Sequence, residues 1–283
     1  MLFLVFLVLI ILTAIVSLSL KGFEYYLMPV ELRPFNAEYS TMKPSGSYSH
    51  GLGIFGALMI IVGVSVYSTR KRIRALWSIG KLSRWLEFHI VLCLLGPILV
   101  IYHTTFKAGG IAAISLWTML SVALSGIIGR FLYTLIPRNL NGNELSVDEI
   151  DKKMEEISTA LQTSEVGKQV IQLLDESFEE IQKPRNFSET ISTLFKLQRV
   201  KSGSQKQTRG LIAGSNVSHD QAKMIISSAN ARATLLQKSI VLQQVERIFY
   251  YWHVIHLPFS IIMFITLAAH VAVALWLGYR WIL

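Results

Sequence analysis

Cysteine is almost absent: the 283 residues contain one, Cys93. One cysteine excludes an internal disulfide, a thioether haem-attachment motif of the CxxCH kind and an iron–sulfur ligand set. Charge is also scarce, at 16% of residues against 52% apolar, with a mean hydropathy of +0.46. Those values exclude an ordinary soluble domain. No phosphate-binding loop or flavin fingerprint is found. The string Gly51-Leu52-Gly53-Ile54-Phe55-Gly56 matches a dinucleotide fingerprint formally. No strand precedes it and the whole run is membrane-apolar, so it is read as small residues allowing close helix or macrocycle approach. Residues 2–20 lack a basic leader and a small-residue cleavage site, and are read as a retained span.

What is present is a set of five apolar runs, at 2–20, about 51–68, about 86–106, about 111–136 and about 254–279. Each approaches or exceeds the roughly 18 to 20 residues that cross about 30 Å of hydrocarbon. The net charge of +9 is not spread as a nucleic-acid surface would require. Arg70, Lys71, Arg72, Arg74, Lys81 and Arg84 crowd the short loop between the second and third runs, which places that loop in the cytoplasm. Alternation then sends the third span outward and the fourth back toward Arg130 and Arg138. Segment 139–250 is expected to be cytoplasmic, and the fifth span runs outward, parallel to the third. The expected fold is an all-α integral membrane bundle of about five helices. Its parts are 1–138 (spans one to four), a helical cytoplasmic insertion over 139–250, and 251–283 (the fifth span). Lipid is an expected partner and nucleic acid is not.

Residues 21–50 carry Pro29, Pro34 and Pro44, which leave no room for a long helix. The insertion changes character: fifteen basic and fourteen acidic residues lie between Pro137 and Tyr250. One helix is expected around 145–162, with Ser146 and Glu149 as a capping box, and a second over 164–182. A third begins at a Ser188 cap, with Ile191, Leu194 and Phe195 as its apolar stripe. Lys201–Gly210 reads as a mobile polar loop, and a long helix is expected from Asp220 into the fifth span.

Four histidines form two pairs at one spacing. His89 and His103 lie fourteen residues apart in the third run, and His256 and His270 fourteen apart in the fifth. Fourteen helical residues are nearly four turns, so both side chains leave one face, separated by roughly 21 Å. Histidine in hydrocarbon is costly unless partnered. Two parallel helices with this spacing could clamp two haems, one imidazole from each helix on each iron: His89 with His256 at the inner level, His103 with His270 at the outer. With no thioether available, both would be haem b. Arg84, Arg130 and Lys81 on the inner side, and Lys107 and Arg280 on the outer, are candidate propionate contacts. Gly126, with Ser125 and Gly129, could leave room for a macrocycle. Gly96 and Pro97 fall midway between the third-span histidines and could kink it.

The chain at this point resembles the di-haem b-type membrane cytochromes, in which cytochrome b subunits carry two histidines fourteen apart on each of two parallel helices. The likeness rests on His89-x13-His103 and His256-x13-His270 and covers about 51–136 and 254–279. It implies electron transfer between a quinone/quinol pool and a redox partner subunit, such as a multihaem cytochrome, an iron–sulfur protein or a dehydrogenase, in a bacterial cytoplasmic membrane. About 150 residues separate the ligand helices and no Pro-Glu-Trp-Tyr quinol motif is present, so the implied form is a small membrane-anchor cytochrome. Candidates for quinone chemistry are Glu87, Tyr250, Tyr251 and His253 at the inner level, and Tyr102, Lys107 and His50 at the outer. The rival readings are a cofactor-free transporter that uses the histidines as a proton pathway, and a structural membrane anchor.

Overall fold

The computed structural model describes residues 2–109, 112–136, 147–215 and 217–278, all helix, turn and loop with no strand among them. Ten α-helices follow in chain order. They are α1 (Leu2–Lys21), α2 (Phe23–Leu27), α3 (Tyr39–Met42), α4 (Ser47–Arg72), α5 (Leu82–His103), α6 (Ala112–Leu135), α7 (Val147–Leu161), α8 (Glu165–Glu179), α9 (Phe187–Ala213) and α10 (His219–Trp276). Five of them, α1, α4, α5, α6 and α10, are long and apolar enough to cross a membrane. Their outward faces carry side chains such as Leu4, Leu124, Ile128 and Ile265, each more than half exposed, an apolar surface that only lipid accommodates. The protein is therefore an integral membrane α-bundle. The expected contacts of Arg138, Arg280 and the Ser146 cap lie outside the described residues.

The chain divides into two compact units, 1–128 with 254–283, and 129–253. The division falls inside α6 and α10, at Gly129 and His253, and so takes in more of both helices than the 139–250 insertion expected from composition.

In the first unit, α4 and α5 lie antiparallel at very short range. A Cβ added to Gly56 would come within 2.7 Å of the Gly96 carbonyl, and one added to Gly63 within 3.0 Å of Leu92 Cβ. The glycines of the fingerprint-like string thus serve close backbone approach. Helix α5 continues through Pro97. Helix α1 joins α5 through Tyr102, whose hydroxyl donates to Ile15 O (3.2 Å) and lies 2.5 Å from Ser19 Oγ.

A buried arginine fastens the loop at each end of the α4–α5 pair. Arg33 sits in a short 3-10 turn, Arg33–Phe35, and is 5% exposed. It donates to the carbonyls of Met28 (3.0 Å), Tyr26 (3.1 Å) and Thr105 (2.8 Å). The last bond holds the turn after α5, where Thr105 and Phe106 take positive φ of 51° and 63°, a conformation disfavoured for side chains with a Cβ. At the other end Arg70, 6% exposed, donates to Trp77 O (2.6 Å), Gly80 O (3.0 Å) and Ile79 O (3.1 Å). Gly80 at φ +64° supplies the left-handed turn there. Composition counts Arg70 as one loop charge among six. The fold uses it as a clasp.

The second unit is a helical bundle with a dry centre formed by Val170, Leu174, Leu197, Val241 and Val245, all at most 1% exposed. Two expectations are corrected here. Asn186, not Ser188, caps α9, its Oδ1 accepting from Glu189 N at 2.8 Å. The polar stretch Lys201–Gly210 is helix rather than loop. It is held because Ser204 and Thr208 are small enough to be buried on the packed face, and because Lys201 Nζ reaches Thr234 Oγ1 at 2.8 Å. Partial burial of that ammonium pushes its pKa below the ordinary lysine value. Arg232 ties three helices together, donating to Asp175 (2.6 Å), Met154 O (3.3 Å) and Ser158 Oγ.

Replacement of Arg70 by alanine leaves three carbonyls without their donor. We expect a loss of about 2–4 kcal/mol, measured as a lower midpoint of detergent-solubilised thermal unfolding, with proteolysis at 73–81. Lysine should not restore the wild-type midpoint, since one ammonium cannot reproduce the guanidinium fork.

Candidate functional site

The histidines of α5 are set by α4. His103 Nδ1 lies 2.9 Å from the Ser49 carbonyl and His89 Nδ1 lies 3.1 Å from the Gly63 carbonyl. A backbone carbonyl can only accept, so each ring carries its proton on Nδ1 and presents the Nε2 lone pair. The two acceptors, Ser49 and Gly63, are themselves fourteen residues apart, as are the two donors. The antiparallel register that matches one histidine to its carbonyl therefore matches the other as well.

His256 on α10 is fixed in the same way by another helix. Its Nδ1 lies 2.6 Å from Ser125 Oγ of α6, and that hydroxyl donates to Val122 O at 2.9 Å. With the hydroxyl proton so engaged, the serine oxygen accepts from His256, which puts the ring proton on Nδ1 as in the α5 pair. Three of the four paired histidines thus share one tautomer, each held from a neighbouring helix.

His103 and His270 line one cavity of about 420 Å³ in the first unit, with walls of apolar side chains from α4, α5, α6 and α10. The size is that of a small-molecule or cofactor site. Since His103 and His270 close the same cavity from the later halves of α5 and α10, these two membrane helices run parallel, as the loop charges predict. Met263 of α10 packs with Ile60, Leu116 and Met119, and all four line the cavity. Gly53 lines the cavity, and a Cβ there would come within 2.8 Å of the His103 ring. His50 stands on the same wall, its ring centroid 6.1 Å from that of His103.

No known protein family, curated protein or solved structure matches this chain.

The remaining sequence candidates fall in varied places. Tyr102 is 5% exposed and committed to α1. His253 packs edge-on to Phe249 and Trp252, both at 4.7 Å between centroids, with Nδ1 3.4 Å from Phe249 O. Tyr250 and Tyr251 are 65% and 52% exposed. Arg84 and Lys107 are exposed, Glu87 is half-buried, and Arg130 lies over the Tyr133 ring at 5.6 Å. At Gly126 an added Cβ would meet only His256 Cε1, at 4.0 Å, whereas one at Gly129 would run into the Trp252 indole. The tight approach on α6 is thus to tryptophan. Among the described residues no three His, Cys, Asp or Glu side chains gather into a metal cluster. Sequence reasoning missed Ser49 and Gly63 as ring acceptors, although their matching separation could have indicated them. It also read Ser125 only for its size.

The glycines separate by experiment. Gly53→Ala should destabilise the protein by about 1–3 kcal/mol through the displaced His103 ring. Gly126→Ala should be neutral or stabilising by up to about 1 kcal/mol. Thermal unfolding in detergent compares the two.

Proposed function

We propose that this protein is a di-haem b-type cytochrome that carries electrons across a bilayer between a quinone/quinol pool and a redox partner. The observation behind the reading is the common setting of His89, His103 and His256, each with Nδ1 held by a backbone carbonyl or a serine hydroxyl of a neighbouring helix. Metal-binding histidine characteristically donates its second ring N–H to such an acceptor. A proton relay needs both ring nitrogens exchangeable, and a backbone carbonyl acceptor holds one proton in place. This disfavours the cofactor-free proton pathway.

His103 with His270, which line one cavity, would hold one iron and His89 with His256 the other, and bis-imidazole ligation asks for only two protein ligands per metal. A bound haem b supplies reversible one-electron chemistry, with both axial positions filled so that it relays electrons rather than binding oxygen. The protein's part is to orient the rings, leave the Gly53 wall open and keep the site apolar. His50, on the cavity wall beside His103, puts a second imidazole within reach of a quinol there, which favours the His103 end for quinone. Arg84 and Lys107 are exposed cations available to propionates. On this reading the loop at 73–81 and segment 139–250 face a bacterial cytoplasm, and a dehydrogenase, iron–sulfur or multihaem subunit completes the complex.

Purified protein should contain two haem b per chain by pyridine haemochrome absorbance. His103→Ala and His270→Ala should each remove one haem and spare the other, while His89→Ala and His256→Ala remove the second. A chain with no haem, or single replacements that strip both haems equally, would end the reading. Ser125→Ala keeps the His256 ligand but loosens its ring. We expect about 10- to 100-fold weaker retention of the haem on His256, read as haem loss to apomyoglobin.

A further inference from the structure

The connection between α4 and α5 is short, and it is cationic and apolar at once. Lys71, Arg72, Arg74 and Lys81 are exposed, and no aspartate or glutamate falls anywhere in 71–86. Among these cations stand Ile73, Trp77 and Ile79, which are 47%, 57% and 50% exposed. The backbone between them is committed inward. Arg70 takes the carbonyls of Trp77, Ile79 and Gly80, and Trp85 Nε1 of α5 also donates to Ile79 O, at 2.8 Å. The loop is thereby fastened to both helices while its cations and its three apolar side chains stay outside the packing.

The depth of this loop follows from the two spans it joins, which belong to one compact unit. The apolar run of α4 closes at about 68 and that of α5 opens at about 86. At 1.5 Å per residue, Lys71 lies about 5 Å beyond the first run and Leu82 about 6 Å before the second. The headgroup layer is roughly 5 to 8 Å thick on each side of about 30 Å of hydrocarbon. Helix α4, with 26 residues, is about 39 Å long, nearly the full bilayer with its headgroups. The bonds to Arg70 keep 77–80 folded against the end of α4, so the loop stays in the layer where lipid phosphates lie.

We propose that the α4–α5 loop is a binding site for an anionic phospholipid, in which Lys71, Arg72, Arg74 and Lys81 attract the headgroup phosphate and Ile73, Trp77 and Ile79 pack on the upper part of the acyl chains. Tryptophan at the hydrocarbon boundary and cations beside phosphate are the two halves of interfacial recognition. Positive charge by itself would suit an acidic protein equally. The three half-exposed apolar side chains, on a loop held within about 6 Å of hydrocarbon, single out lipid. The inference uses neither the haem reading nor the placement of the second unit.

The test titrates the full-length protein in dodecylmaltoside micelles with dioleoyl phosphatidylglycerol or dioleoyl phosphatidylcholine, and reads bound lipid by native mass spectrometry. Each cation near an anionic headgroup is worth roughly fivefold in occupancy, so two of them on one phosphate should favour phosphatidylglycerol by at least about 25-fold. Lys71→Gln with Arg72→Gln and Arg74→Gln leaves only Lys81 of the four and should cut the preference to about fivefold or less. Lys71→Arg with Arg72→Lys and Arg74→Lys should keep the wild-type preference. Equal retention of the two lipids by wild type overturns the proposal, as does a preference that survives the glutamine variant. So does one lost equally when Arg199→Gln, Lys206→Gln and Arg209→Gln are made in the second unit instead. Glycerol phosphate and a polyglutamate peptide, each added at the lipid's concentration, should leave phosphatidylglycerol in place. Displacement by the first assigns the cations to a soluble phosphate ester and displacement by the second to an acidic protein, and either result overturns the lipid site.

Discussion

A hydrogen-bond register between two membrane helices underlies the arrangement of the candidate site. Helix α4 offers the carbonyls of Ser49 and Gly63, fourteen residues apart, and α5 offers His103 and His89 at the same spacing in the opposite direction. In hydrocarbon an unmatched imidazole N–H has no water to turn to, so slipping either helix by one residue would orphan two polar groups together. The glycines at 56, 63 and 96 let the backbones come near enough for those bonds to form. Close packing and polar satisfaction thus select the same register.

The clasps at the two ends follow the same economy of partners. Arg33 and Arg70 are buried cations that satisfy loop carbonyls otherwise cut off from water, each donating to three of them. Neither depends on an acid, so no carboxylate has to be brought to the bundle's ends. The same guanidinium geometry that ties down 73–81 also fixes where α5 begins. Through Thr105, Arg33 fixes the turn just after His103.

The five spans and their all-α nature were legible because hydrocarbon thickness sets a length that composition reports directly. The histidine pairs were legible because a repeated spacing survives without knowledge of contacts. The parallel run of α5 and α10 could be read from loop charge, and the shared cavity of His103 and His270 agrees with it. Less could be read in the second unit. Lys201–Gly210 looks like a loop because serine, glycine and glutamine are poor helix evidence, yet small hydroxyl residues are what a crowded helix face accommodates. Ile191 and Phe195 look like core by their period, but periodicity does not say which face is covered, and the fold covers Thr190, Thr193 and Leu197 instead.

By itself, the sequence determined that the chain lies in a membrane and which four imidazoles are matched in spacing, and its loop charges predicted that the two histidine-bearing helices run parallel. Apolar length, positive charge and helical period are each properties of a single segment. Tertiary structure alone decided which ring nitrogen holds the proton, that His50 shares a wall with His103, and that Trp252 covers Gly129. Those facts depend on what a neighbouring helix places within about 3 to 4 Å, a distance no single segment encodes.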